Sequence, residues 1–418
     1  MTMRWHSCHP SPEVDVRRLA VLSLHTSPLV QPGSGDGGGM NVYVREIASA
    51  LSKAGGRTTV FTRRTADDIP TTVEVEPGFR VVHVEAGPHE LAKEDLPSVV
   101  DEFADAVADY LAAHPDHDGI LANYWLSGVS GHRLKHELDL PLLTIFHTLA
   151  RVKAETGDAE PQRRIDAETS VVGCSDVMLA NSIEEVRQLV DLYGADPDRV
   201  EVVPPGVDHA FFTPGSQSVA RRAIGLGEGP VLLFAGRIQP LKGVDVAVHT
   251  LAGLDRPDAC LVVVGGASGV DGGAEERRLY DLANAHGLAD RVIFVPPQPH
   301  HVLATWYRAA DVVLMPSRSE SFGLVALEAA ACGIPVVAAG VGGLRTLVDH
   351  GRTGYLVDSR EPAEYADRVT QILEDPAIAA HMSVAATQRS WSYTWSATAA
   401  RLRRICDDVG SRSLVDCA

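Results

Sequence analysis

Only six cysteines are present (Cys8, Cys174, Cys260, Cys332, Cys406 and Cys417), and no two of them form a C-x-x-C pair. No histidine spacing suited to zinc accompanies them, so a reducing compartment and no structural metal are expected. Cations are scarce. Lys and Arg number 37 against 55 Asp and Glu, a formal charge of −18. So acidic a surface repels polyanions, which excludes non-specific nucleic-acid binding and opposes docking to anionic lipid. A phosphate-bearing partner must be small and held by a few local cations. Long apolar runs are missing too. The most weakly charged stretch, 324–344, contains Glu328 and the breaker run Gly333-Ile334-Pro335, and reads as a buried helix followed by a buried strand rather than a membrane span. Residues 1–17 are polar, with no apolar signal core, and are expected to be a disordered extension of a cytoplasmic protein.

A chain of 418 residues favours two domains. Apolar, β-branched runs predict strands over 18–26, 58–62, 79–85, 119–124, 142–146, 177–181 and 200–203. Helical periods predict helices over 40–54, 101–113 and 182–193. After Pro204-Pro205-Gly206 the alternation restarts. Strands are expected at 231–235, 260–264, 292–295, 312–315, 336–339 and 354–357, with helices at 244–254, 274–285, 300–309, 321–331 and 362–373. Repeated βαβ alternation implies an α/β protein of two doubly wound parallel-sheet, Rossmann-like domains, 18–205 and 206–389, facing a central cleft. A C-terminal helical segment, 390–418, need not belong to the second sheet and could return to the first domain.

Three segments carry candidate chemistry. Residues 31–41 hold five glycines between a strand and a helix, where free backbone N–H groups and a helix N-terminus can receive an anion. Gly33, Gly35 and Gly38 satisfy G-x-G-x-x-G. However, residues 25–32 separate them from the strand, and the second strand ends in Arg63-Arg64 without an acidic ribose ligand, which argues against a dinucleotide fingerprint. A flexible surface loop is the plainer reading. Residues 236–243 present Arg237 and Lys242 on a strand-to-helix loop, suited to a diphosphate or simply solvated. Residues 320–328 run from a strand end into a helix. Ser321 and Gly323 are expected in its first turn, Glu320 just outside it facing sugar hydroxyls, and Glu328 two turns in, where a buried carboxylate needs a partner such as vicinal ribose hydroxyls. The alternative is a capping acid and a salt-bridged acid. Tyr124, His147 and Thr148 follow strands, while Lys93 and Arg163 sit in loop or helix-start regions; taken singly, each is as well explained as surface or core.

Taken together, these segments resemble the retaining glycosyltransferases of GT-B fold, the large family that includes sucrose synthases and bacterial α-glycosyltransferases. Its two acids separated by seven positions are matched by Glu320 and Glu328 in ESFGLVALE. SLHTSPLVQPGSGDGGGMNVYV, AGPHELAKEDLP, NYWLSG, FHTLARVK and GRIQPLKG resemble those members that transfer N-acetylglucosamine from UDP-N-acetylglucosamine to 1D-myo-inositol 3-phosphate, the first step of mycothiol biosynthesis. The resemblance implies that Lys93, Tyr124, Thr148 and Arg163 clamp the acceptor phosphate. By the same resemblance, His25, Asp36, Gly37, Gly38, Gly39, Met40 and Asn41 line the inositol. Gln31, Pro32 and Gly39 approach the UDP-sugar donor, Arg237 and Lys242 hold its diphosphate, Gln298 lies beside the uracil, Glu320 binds the transferred sugar and Glu328 the ribose.

It further implies a homodimer, a peripheral Mg²⁺ near Tyr307, Arg308 and Ala310, and no redox cofactor. The reaction is expected on the front face, with a diphosphate oxygen taking the acceptor proton and His147 bonding the transferred sugar or a backbone carbonyl. Catalysis would rest on His147, Arg237, Lys242 and Glu320. Three alternatives stay open: the same fold with a sugar phosphate or phosphatidylinositol acceptor, a nucleotide-sugar epimerase, and a non-catalytic binder.

Overall fold

Short β-branched runs, buried on both faces, become the strands of two sheets in the computed structural model. It describes residues 18–417 apart from Ser34, Asp36, Thr156, Asp158, Ala159, Val270, Asp271 and Ser411. The extension 1–17 and the expected acceptor contact Asp36 therefore lie outside the described residues. The N-terminal half holds β1 (Arg18–Leu22), β2 (Arg57–Arg63), β3 (Thr72–Glu76), β4 (Phe79–Val84), β5 (Gly119–Asn123), β6 (Leu142–Ile145), β7 (Val177–Ala180) and β8 (Val200–Val202). The C-terminal half holds β9 (Val231–Ala235), β10 (Cys260–Val264), β11 (Val292–Val295), β12 (Val312–Met315), β13 (Val336–Ala339) and β14 (Gly354–Val357).

The first sheet runs β3-β4-β2-β1-β5-β6-β7-β8 and the second β11-β10-β9-β12-β13-β14. All pairs are parallel except β3 with β4. That antiparallel edge corrects the all-parallel expectation: β3 reaches β4 through a tight turn, and its pattern is only half buried. In each sheet the strand order reverses beside the first strand, between β1 and β5 and between β9 and β12. Loops leaving the strand ends diverge there and open a crevice. Three loops at those points come from residues 23–38, 236–243 and 316–323, and at the fourth β5 passes directly into a helix at Asn123–Tyr124.

Both faces of each sheet are covered. One face of the first sheet packs against helices Val100–Ala113, Tyr124–Leu138 and Gln162–Cys174, and the other against helix Gly39–Lys53. Sequence patterning anticipates neither Tyr124–Leu138 nor Gln162–Cys174. Helix Pro376–Ser390 closes the second half. The chain then crosses at residues 391–394, and helix Trp395–Val409 packs Trp395, Ala399, Leu402 and Ile405 onto helix Gly39–Lys53. Each large apolar side chain buried there contributes roughly 1.5–3 kcal/mol. The crossing lies beside the outward one, with Val207 N–H donating to the Tyr393 carbonyl at 3.2 Å and Thr398 Oγ1 to the Pro204 carbonyl at 2.8 Å. The expected helical segment 390–418 thus begins with the crossing, and its helix runs only over Trp395–Val409. Among the described residues, no helix is long and apolar enough to cross a membrane.

Candidate active site

The facing strand ends enclose a cavity of about 1010 Å³ lined from both halves. On the C-terminal side, Arg237 follows β9. Lys242 ends a short turn, Pro240–Lys242, closed by Gly243 at φ 70°. A Cβ at Gly243 would lie 2.3 Å from the Pro316 carbonyl, so only glycine lets the loop after β9 lie against the loop after β12. That contact brings Lys242 Nζ to Glu320 Oε2 at 2.6 Å, a half-buried ion pair inside the cavity. Arg237 donates to Ser268 Oγ at 3.4 Å, and its guanidinium passes over Gly38, where a Cβ would sit 3.1 Å from Nε.

Glu328 lines the same cavity, and its Oε2 accepts a 2.7 Å bond from the Tyr307 hydroxyl. Burial pushes its carboxyl up to about 7, against the lowering effect of that bond. The partner is thus a phenol, not the cation of the salt-bridge alternative. Helix Leu324–Ala331 starts three residues later than the sequence suggests, with Gly323 as its N-cap. Ser321 and Phe322 are consequently loop residues, and Ser321 lines the cavity without belonging to a helical turn.

The N-terminal side is built from separated segments. Tyr124 (φ 74°) and His147 (φ 61°) follow β5 and β6 in the left-handed region, unusual for such bulky residues and a sign of local strain that clusters at functional sites. His147 Nε2 lies 3.0 Å from Asn123 Oδ1, whose amide nitrogen faces the carbonyls of Leu22 and Leu121. The amide oxygen therefore accepts, which assigns the imidazole proton to Nε2 and leaves Nδ1 bare. Burial lowers the His147 pKa to about 3. A ring so hard to protonate is poorly suited to act as a general base near neutrality. The protein partner of Nε2 is a side-chain amide rather than the backbone carbonyl that was one expectation.

The His25 ring lies 4.6 Å from the Tyr124 ring, tilted 45° to it, and its Nδ1 is buried without a hydrogen-bond partner. Burial first, then Lys93 and other nearby cations, hold its pKa well below the ordinary value. A neutral imidazole with an unpaired nitrogen in a polar cavity wants a hydroxyl. Lys93 Nζ lies 5.6 Å from the Tyr124 ring centroid. Arg163, expected to grip phosphate, sits exposed at the rim and donates to the Glu94 carbonyl at 2.8 Å. Its neighbour Arg164 points inward instead. It donates to the Thr148 carbonyl and Oγ1 at 3.0 and 3.1 Å, lies 5.0 Å over Tyr124, and pairs with Glu168 at 2.8 Å and Glu160 at 2.9 Å. Sequence reasoning missed Arg164. The signal was present in the i, i+4 spacing of Glu160, Arg164 and Glu168.

The glycine-rich loop is no free surface loop. The Gly33 carbonyl accepts from Gly266 N–H at 2.8 Å, and Gly35 N–H reaches the Ala267 carbonyl at 3.3 Å, joining the halves across the cavity. Pro32, Gly38, Gly39 and Met40 line it, as does Gln298 from the far side. Gln31 bridges the rim by donating to the Gln298 carbonyl at 2.9 Å. Gly37 and Asn41 are buried beneath the loop. Asn41 Oδ1 accepts from Gly38 N–H at 2.9 Å while its amide donates to Thr26 and Ser27, a supporting rather than a contacting place.

Tyr307, Arg308 and Ala310 stand at the end of helix His300–Ala309. Their side chains do not suit a cation. The phenol is committed to Glu328, and the guanidinium donates to the Phe211 carbonyl at 3.1 Å and Thr305 Oγ1 at 3.3 Å. The main-chain carbonyls of a helix end do suit one, being incompletely satisfied oxygens at the negative end of the dipole. The Ala310 carbonyl accepts one bond, from Gln217 Nε2 at 3.0 Å.

Residues 217–389 match the glycosyl transferases group 1 family and residues 37–211 glycosyltransferase family 4. The chain is 47% identical over 411 residues to a D-inositol 3-phosphate glycosyltransferase of Thermobispora bispora, covering 95% of this chain and 96% of that one. It is 48% identical over 396 residues to one of Geodermatophilus obscurus, covering 91% and 87%. Among solved structures, a sucrose-phosphate synthase from Thermosynechococcus elongatus superposes with a TM-score of 0.88 at 31% identity, over 94% of this chain and 99% of that one. An Anabaena protein solved with UDP and glucose shares the fold at a TM-score of 0.76 and 21% identity, over 94% and 100% of the two chains.

Proposed function

Because the chain belongs to the D-inositol 3-phosphate glycosyltransferase family, within the group 1 hexosyltransferases of GT-B fold, we propose that it moves N-acetylglucosamine from UDP-N-acetylglucosamine to 1D-myo-inositol 3-phosphate with retention of configuration. The observation that carries the reading is one cavity with two cationic ends in an otherwise acidic protein: Arg237 and Lys242 on one wall, Lys93 and Arg164 on the other. A diphosphate and a phosphorylated polyol would each find their own cations there.

Charge accumulates on UDP as the glycosidic bond breaks. Arg237 and Lys242 face that oxyanion as fixed donors, and stabilisation of this kind is commonly the largest single contribution to rate. Lys242, already held by Glu320, is aimed without further ordering. Glu320 bonds the transferred sugar and Glu328 the ribose hydroxyls. On the acceptor wall, the unpartnered Nδ1 of His25 and the bare Nδ1 of His147 bond inositol hydroxyls, while Lys93, Thr148 and Arg164 hold the phosphate with Arg163 at the rim. With His147 kept neutral, the acceptor proton passes to a diphosphate oxygen on the front face.

The same reading includes a cytoplasmic homodimer and a magnesium ion held by the main-chain carbonyls of Tyr307, Arg308 and Ala310. There it would brace the helix end behind Glu328 and enter no chemical step. Mass spectrometry of the purified chain with UDP-, GDP- and ADP-sugars and inositol 3-phosphate tests the assignment. The expected product is the acceptor plus one N-acetylhexosamine from the UDP donor alone. Transfer to sugar phosphates or phosphatidylinositol but not to inositol phosphate would replace the acceptor.

A further inference from the structure

Four donor side chains that the transfer reaction does not use converge on the outer side of the N-terminal half. His132 and His136 are one turn apart on helix Tyr124–Leu138, with ring centroids 5.3 Å from each other. Cys174 is the last residue of helix Gln162–Cys174, and Cys417 comes from the segment after the final helix. One ligand atom of each lies within 4.8 Å of all the others. His136 Nε2 is 3.2 Å from Cys174 Sγ and 2.9 Å from Cys417 Sγ, while His132 Nε2 is 3.7 Å from Cys417 Sγ. This overturns the sequence expectation of no zinc-compatible histidines: H-x₃-H lies on a helix that patterning missed, and the sulfurs come from two other segments.

We propose that His132, His136, Cys174 and Cys417 form a structural Cys₂His₂ zinc site that fastens the C-terminal tail to the acceptor-side half. Zinc bonds of about 2.3 Å to sulfur and about 2.0–2.1 Å to nitrogen set tetrahedral donors about 3.3–3.8 Å apart; the nitrogen–sulfur distances of 2.9–3.7 Å lie near that spacing, while the two sulfurs, in direct contact, would have to separate to bind the ion. Two thiols give up their protons on binding, so two thiolates balance the dication and two neutral imidazoles complete the shell.

The surroundings fix the segments that carry the donors. Lys135 is buried, bonding the Cys174 carbonyl and Asp176 Oδ1, each at 2.8 Å. Asp176 Oδ1 also receives Val415 N–H at 2.7 Å, seating the tail two residues before Cys417. Four protein ligands leave no open position, so the role is structural rather than catalytic. Tyr124 opens the helix that carries both histidines, and at 1.5 Å per residue His136 lies about 18 Å along it. Arg164 lies near the start of the helix that ends in Cys174. The metal would tie down the far ends of two helices whose near ends line the cavity.

The competing arrangement is the one the structure draws, a Cys174–Cys417 disulfide with Cα atoms 5.2 Å apart, which runs against the expectation of a reducing compartment. A disulfide would neither need two imidazoles facing the sulfurs nor offer them a strong acceptor. The test is elemental analysis of the untagged full chain, purified under reducing conditions, with thiol titration before and after chelation. About one zinc per chain is expected, falling to background in Cys417→Ser and in His136→Ala. Two thiols should become reactive only once the metal is removed. Cobalt exchanged into the wild type should give the absorption of a tetrahedral thiolate complex, a readout that requires no variant to fold. Donor binding by Cys417→Ser should be unchanged. Absence of zinc, whether the intact mass shows the Cys174–Cys417 disulfide or two free thiols, overturns the proposal, as does zinc that persists in both variants.

Discussion

The two halves build their walls of the cavity in different ways. In the C-terminal half, Arg237 and Lys242 share one loop, and Glu320 and Glu328 share one strand-to-helix segment. The N-terminal half gathers His25, Lys93, Tyr124, His147, Thr148 and Arg164 from several separate segments and sets two bulky residues at positive φ. The donor wall is local in sequence and places its positive φ angles at glycines, which take them without strain. The acceptor wall is long-range and strained. A nucleotide diphosphate needs one compact cationic loop near a strand end, whereas a ring of hydroxyls bearing a phosphate must be met from several directions.

That contrast breaks most severely at Arg164. Its partner Glu168 is fully buried, so Arg164→Ala strands a carboxylate and should cost about 3–5 kcal/mol of stability, read as a lowered midpoint in urea. An unchanged midpoint would mean the pair is not part of the acceptor wall's frame. On the donor wall, Lys242→Ala should fold normally and lose on the order of 10²–10³ in kcat, as expected for removing one preorganised donor. Near wild-type turnover would remove the diphosphate assignment.

Two buried acids sharpen the comparison next. Glu328 on the donor wall and Glu185 in the acceptor half, where it bonds Asn181, are each raised to about 7 by burial. Raised carboxyl pKa values mean that the folded chain holds protons the unfolded chain releases. Their stabilising contribution is therefore full below the ordinary value near 4.5 and lost as pH climbs through 7. Donor binding should run the opposite way, because ribose hydroxyls bond the ionised form of Glu328. UDP affinity measured by calorimetry should fall about tenfold from pH 8 to pH 6. Glu328→Gln should flatten that profile and Glu185→Gln should not. The smallest effect is expected at exposed Arg163, where Ala should raise KM for inositol phosphate by a few-fold, about 1 kcal/mol or less, and leave the UDP-sugar nearly unaffected. Equal weakening of both ligands would misplace the rim.

The same contrast decides what the sequence could reveal. All six strands of the C-terminal half fall at their expected bounds, because each is a short buried β-branched run between turn residues. Helix Tyr124–Leu138 escaped because its inner face is made of small residues. A Cβ at Gly128 would meet Val171 at 2.9 Å and one at Gly131 would meet Leu142 at 2.8 Å, so close packing replaces the apolar periodicity that betrays a helix. Missing that helix hid the H-x₃-H spacing on it. With adjacent arginines 163 and 164, only helical phase against Glu160 and Glu168 tells which one turns inward. Ser321 was misplaced because helix bounds are the least legible feature of any pattern.

The division of labour between the walls is tested most directly by following UDP release from UDP-N-acetylglucosamine with and without inositol 3-phosphate. Release that depends on the acceptor and stops in Lys242→Ala is the predicted result. Release at the same rate without the acceptor, or none with it, would contradict a cavity that joins a donor wall to an acceptor wall.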